Sequence, residues 1–127
     1  MNSLDLPDDG VDRHVDDPPS AAAVGEWLRQ VAYGVDPRHV ADLALITTEL
    51  LANAHRHAEG PWRVRVFRVE GAVRVEVQDR SPSLLPVLGR ADRPNSGSGL
   101  LLVNRLSVHW GVSLAAQHKV VWAEVPA

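Results

Sequence analysis

The stretch from Pro37 to about His57 limits the possible folds more than any other part of this chain. Leu43, Ile46, Leu50 and Ala54 recur at helical spacing, and no proline or glycine interrupts them. Asp36 is placed to cap this helix, Pro37 fits its first position, and Gly60-Pro61 stops it. A helix this long with one apolar face needs a second layer to cover that face. It also carries an acid, an amide and an imidazole, Glu49, Asn53 and His57, at i, i+4 and i+8. At roughly 100° per residue these three drift slowly and form one polar stripe. The stripe runs beside the apolar face, not opposite it. Polar groups at such a boundary must be hydrogen-bonded or must hold something.

The rest of the chain supplies the second layer. Ser20 is a plausible cap for a helix over 21–32, with Trp27, Leu28 and Val31 on its apolar side. Trp62, Val64 and Val66 alternate with arginines, then Val73, Val75 and Val77 alternate with polar residues, and Glu70-Gly71 forms the turn between the two strands. The inward phase of the second strand continues to Asp79, so a carboxylate reaches the buried face where the strand ends. Residues 80–96 have no clear period and contain three prolines and Gly89, the pattern of a functional lid. Gly97-Ser98-Gly99 leads into a short apolar helix over 100–106, and strands over about 108–114 and 119–125 close the chain. This order predicts an α+β two-layer sandwich, with helices on one face of a mixed sheet.

Composition narrows the function classes. At 127 residues the chain reads as a single domain, with residues 20–127 folded behind an acidic segment over 1–19. That head holds six aspartates against Arg13, a balance of −5 within a total of −3, so the remainder carries +2. A surplus that small does not suggest nucleic-acid binding. The head, closed by Pro18-Pro19, reads as a solvated tail or a poorly ordered first strand. It has no apolar core of a signal peptide, and no apolar run reaches the roughly 20 residues of a membrane span. Cysteine is absent, which fits a reducing, cytoplasmic setting and rules out thiolate metal sites.

Four features carry chemistry. Asn53 can offer a neutral oxygen to Mg²⁺, a hard cation that prefers oxygen ligands and phosphates. Glu49, one turn earlier, can take a proton from a hydroxyl or water attacking a terminal phosphate. Asp79 can accept a hydrogen bond from an exocyclic amine such as that of adenine. Gly97 and Gly99, ahead of a helix, expose backbone N–H groups suited to phosphate. Each feature also has a plainer explanation: a solvated helix face, a strand-ending aspartate, an ordinary glycine turn. Their order along the chain is what favours a nucleotide site. No P-loop, zinc-binding H-E-x-x-H or dinucleotide fingerprint is present, and His55 and His57 face different ways.

These residues resemble a known family. Glu49-x-x-x-Asn53-Ala54-x-x-His57 is similar to the N box of the GHKL ATPases, the gyrase, heat-shock chaperone, histidine kinase and MutL type. Gln78-Asp79-Arg80-Ser81-Pro82 resembles their first glycine box in a reduced form, and Ser96-Gly97-Ser98-Gly99-Leu100-x-Leu102-Val103 resembles the second. The resemblance spans about residues 20–126 and implies the Bergerat ATP-binding fold. It implies ATP and Mg²⁺ as cofactors, with Asn53 as the metal ligand and Glu49 as the general base. It further implies Asp79 as the adenine reader, backbone amides near Gly97, Gly99, Leu100 and Leu101 as phosphate donors, and His57 as a supporting or phosphate-side group.

The small actinobacterial members resemble anti-sigma-factor serine/threonine kinases. The implied partners are therefore a sigma factor and an anti-sigma-factor antagonist, and a homodimer is expected, with no nucleic acid and no membrane. Two departures from the family pattern weigh on this. The first glycine box lacks its later glycines, and Val120 stands where many relatives carry threonine. If that threonine supports adenine, its loss weakens ATP recognition, and the alternative is a non-catalytic, anti-sigma-like binding module.

Overall fold

A computed structural model of the chain describes residues 10–82 and 98–127. Among the described residues, five strands and three helices follow one another as β1 (Val11–Val15), α1 (Ala21–Val31), α2 (Pro37–His57), β2 (Trp62–Val69), β3 (Ala72–Asp79), α3 (Ser98–Leu106), β4 (His109–Leu114) and β5 (Lys119–Pro126). Both helix starts form as their sequences dictate. The Ser20 side chain accepts the Ala23 N–H at 3.1 Å. Asp36 Oδ1 accepts the Arg38 N–H at 2.9 Å, and Pro37 opens α2. Each cap satisfies a donor that the first helical turn leaves free. Gly71 takes a φ of +73° at the β2–β3 turn, a conformation that costs other residues but not glycine.

The sheet order is β1-β2-β3-β5-β4, and all four ladders are antiparallel. The expected mixed sheet is therefore corrected. Strands β3 and β4 run in the same direction across the α3 connection and would make the parallel pair. Strand β5 lies between them and pairs antiparallel with both. For the acidic head, the strand alternative describes residues 11–15, which pair along β2, with Asp12 bonded to Arg63 at 2.6 Å.

Strand alternation assigns the faces. Val64, Val66, Val73, Val75, Val77, Val121, Ala123 and Val125 are buried on one side. Val24 and Leu28 of α1, Leu43, Ile46, Leu50 and Leu51 of α2, and Leu100 and Val103 of α3 join the same core. Burying one such side chain is worth roughly 1.5–3 kcal/mol, so this seam is the main stabilising layer. Thr47, fully buried within it, is satisfied by donating to the Leu43 carbonyl at 2.7 Å. The opposite sheet face is polar and aromatic, and the Arg74 guanidinium lies 4.0 Å from the Trp122 ring centre. No helix among the described residues is long and apolar enough to cross a membrane.

Candidate functional site

The candidate site lies where the C-terminal half of α2 meets the end of β3. Glu49 and Asn53 are half-buried on α2, one turn apart, while His57, its last residue, is exposed. This is the stripe the spacing predicts, emerging from the core toward the helix end. The Asn53 side-chain nitrogen is buried and has no hydrogen-bond partner among the described residues. A buried amide without a partner is costly, and a ligand oxygen at that point would relieve the cost.

Two hydrogen bonds clamp the helix end to the strand end. The Glu59 N–H donates to Ser81 Oγ at 2.8 Å, and the Arg80 N–H donates to the Glu59 carbonyl at 2.9 Å. Trp62 adds a third tie by donating its indole N–H to the Ala54 carbonyl at 3.1 Å. Because Asn53 lies beside Ala54 and Asp79 lies two residues before Ser81, these ties fix the distance between the two parts of the site.

Asp79 is inward and buried, as the strand phase predicts, at 1% exposure. Its carboxylate is already occupied. Lys119 Nζ lies 3.0 Å from Oδ1 and 3.0 Å from Oδ2, and the Ser81 N–H donates to Oδ1 at 2.8 Å. Lys119 also donates to the Ser81 carbonyl at 2.9 Å. Asp79 and Lys119 stand directly opposite each other in the β3–β5 ladder. Reading the motifs missed this lysine. The signal was present: Val121, Ala123 and Val125 set the inward phase of β5, and Lys119 falls in step with them. Val120 is out of step. It pairs with Gln78 on the other phase of the ladder, so its side chain leaves the sheet on the face opposite Asp79.

Helix α3 begins at Ser98, two residues earlier than expected. Its first-turn amides, which lack helical acceptors, therefore belong to residues 98–100, and Leu101 comes one position later. The Leu100 side chain is buried in the core and Leu101 is 38% exposed. Gly97 and most of the expected lid lie outside the described residues. A hollow of about 230 Å³ between the acidic head and α1 and another of about 390 Å³ beside Tyr33 border neither Asn53 nor Asp79.

A profile of the histidine kinase-like ATPase domain matches residues 15–124. The chain belongs to that family. Among solved structures it is similar to the RsbU and RsbW domains of Rv1364c from Mycobacterium tuberculosis, at 20% identity and a TM-score of 0.58. That match covers 91% of this chain and 32% of the other. It is also similar to the histidine kinase domain of the EL346 blue-light activated histidine kinase from Erythrobacter litoralis, at 22% identity and a TM-score of 0.55. Here 84% of this chain and 57% of the other are covered. The chain thus spans less than two-thirds of either structure. No curated protein matches it.

As a family member the chain has the GHKL-type α+β fold, and its residues can be tested against a nucleotide. The phosphate side fits, since the buried Asn53 amide nitrogen is a donor with no partner among the described residues and Glu49 lies one turn away; a metal would have to meet the Asn53 side-chain oxygen. The base side fits less simply, since the carboxylate expected to meet an amine already holds an ammonium.

Proposed function

We infer that the protein binds Mg²⁺-ATP and acts as a cytoplasmic serine/threonine protein kinase of the anti-sigma type. The observation that carries this reading is Asn53, a half-buried carboxamide with an unsatisfied nitrogen on the helix that also bears Glu49. Membership in a family of ATPase domains supports it. The likeness to a two-domain RsbU and RsbW structure suggests protein partners, here a sigma factor and an antagonist bearing the acceptor serine or threonine.

In this reading the Asn53 side-chain oxygen would hold Mg²⁺, and its nitrogen with the first-turn amides of α3 would supply donors to the phosphates. Bound ATP supplies the phosphoryl group. Glu49 would accept the proton of the incoming hydroxyl as that oxygen bonds to the γ-phosphorus and the bond to the leaving ADP breaks. His57, exposed at the helix end, supports the phosphate side. Replacing Glu49 by alanine is expected to leave Mg²⁺-ATP binding intact and to slow phosphotransfer roughly 10²–10⁴-fold. Radiolabel transfer to a cognate antagonist, alongside calorimetric ATP binding, checks this. Equal transfer rates in the variant and the parent would remove Glu49 from the chemistry.

A second reading has support from the Asp79–Lys119 pair. The protein would then sequester a regulator without transferring phosphate, with ATP structural or absent. Stable capture of a sigma factor by a chain that gives no thermal shift with millimolar Mg²⁺-ATP favours this module over the kinase.

A further inference from the structure

The start of β5 carries a charge that the nucleotide reading leaves unused. Lys119 is an ammonium held on the core side of the sheet, where its side chain is 4% exposed and that of Asp79 is 2% exposed. It donates to Asp79 Oδ1 at 3.0 Å and to the Ser81 carbonyl at 2.9 Å, and its nitrogen lies 3.0 Å from Asp79 Oδ2 in the ion pair. Asp79 Oδ1 accepts the Ser81 N–H as well. The carboxylate is therefore already ion-paired inside the protein, with two donors on Oδ1 and the ammonium beside Oδ2.

The consequence concerns selectivity. An adenine amine reaching Asp79 must compete with Lys119 for the same oxygens, and an ammonium displaced from them would lose its counter-charge in a buried setting. The ammonium also cancels the negative charge that would favour a base presenting a donor over one presenting a carbonyl. Ladder pairing holds the two residues opposite each other, and a slip of one residue would turn the whole inward set of β5 outward. Neighbouring Val120 points the other way and offers no hydroxyl in place of the ammonium.

We propose that Lys119 is the residue that sets base selectivity: by holding Asp79 it closes the base-reading end, so nucleoside triphosphates bind through their phosphates and metal with little distinction between adenine and guanine. This rests on the nucleotide reading of the site. The test is calorimetric titration of the full chain and of Lys119→Thr with Mg²⁺-ATP and Mg²⁺-GTP.

The parent is expected to bind the two within about threefold of each other, and Lys119→Thr to prefer ATP by at least about tenfold. A parent that prefers ATP by more than about tenfold overturns the proposal and leaves the nucleotide site standing. A folded variant that gains no preference overturns it too. Binding of ATP by the variant alone overturns the proposal, because the parent would then not hold triphosphates through their phosphates and metal. If neither protein binds either nucleotide, the nucleotide reading fails and this proposal with it. Should Lys119→Thr not fold, the parent's ATP-to-GTP ratio decides alone.

Discussion

Asp79 arrives at the core side because β3 keeps its two-residue period to its last position, and Lys119 meets it because β5 starts in the same phase. Two opposite charges so deeply buried are stabilising only as a pair. Taking both out of water costs several kcal/mol each, which their attraction and the added hydrogen bonds to Ser81 offset. Lys119→Met alone is expected to destabilise the fold by about 3–5 kcal/mol, because it leaves an uncompensated buried carboxylate. Combining it with Asp79→Asn should recover part of that loss, giving a coupling of about 0.5–3 kcal/mol in urea unfolding of the four-member cycle. Strict additivity of the two changes would mean that the pair is not formed. Asn53 shows the opposite situation, a polar group whose partner the described residues do not supply.

At the level of elements, α2 links stability to the site, since one helix carries the core face and the polar stripe. Its N-terminus is set by Asp36. The side-chain hydrogen bond from Arg38, helped by the Arg38 backbone N–H and its nearby charge, lowers the Asp36 carboxyl from 3.8 to about 2. A folded-state value below the unfolded one means that the ionised form favours the folded chain. The gain is complete above the unfolded value and fades as pH falls through the folded one. Asp36→Asn keeps a capping oxygen but loses the charge. The parent should therefore melt at a higher temperature than Asp36→Asn at pH 5–6, and the gap should close as pH approaches about 2. A gap that does not change with pH would assign the difference to the cap alone.

The same element shows what could be read in advance. Both ends of α2 were legible because capping and breaking are local: Asp36-Pro37 and Gly60-Pro61 act on their own backbone. The direction of the ladders was not, because the place of β5 between β3 and β4 depends on how distant strands pack. The clamp from Glu59 to Ser81 joins residues 22 apart and has no spacing that would announce it.

For the whole molecule, helices on one sheet face leave the α2–β3 junction as the place where a ligand would couple to folding. If Mg²⁺-ATP binds the folded chain only, a concentration 100 times its Kd adds about 2.7 kcal/mol and raises the melting temperature by several degrees. Asn53→Ala is expected to remove that shift without lowering the ligand-free melt, since the costly buried Asn53 amide nitrogen has no partner to lose among the described residues. A full shift in Asn53→Ala would move the metal and phosphate site elsewhere. Hydrophobic period, caps and turn residues, read from the sequence alone, determined the helices, the hairpin and the inward Asp79, because each depends on neighbours a few positions away. Only the tertiary structure decided that Asp79 faces Lys119, that Val120 does not, and that Ser81 closes the junction. Those facts depend on which strands pair and in what register, and that is set by the packing of the whole sheet.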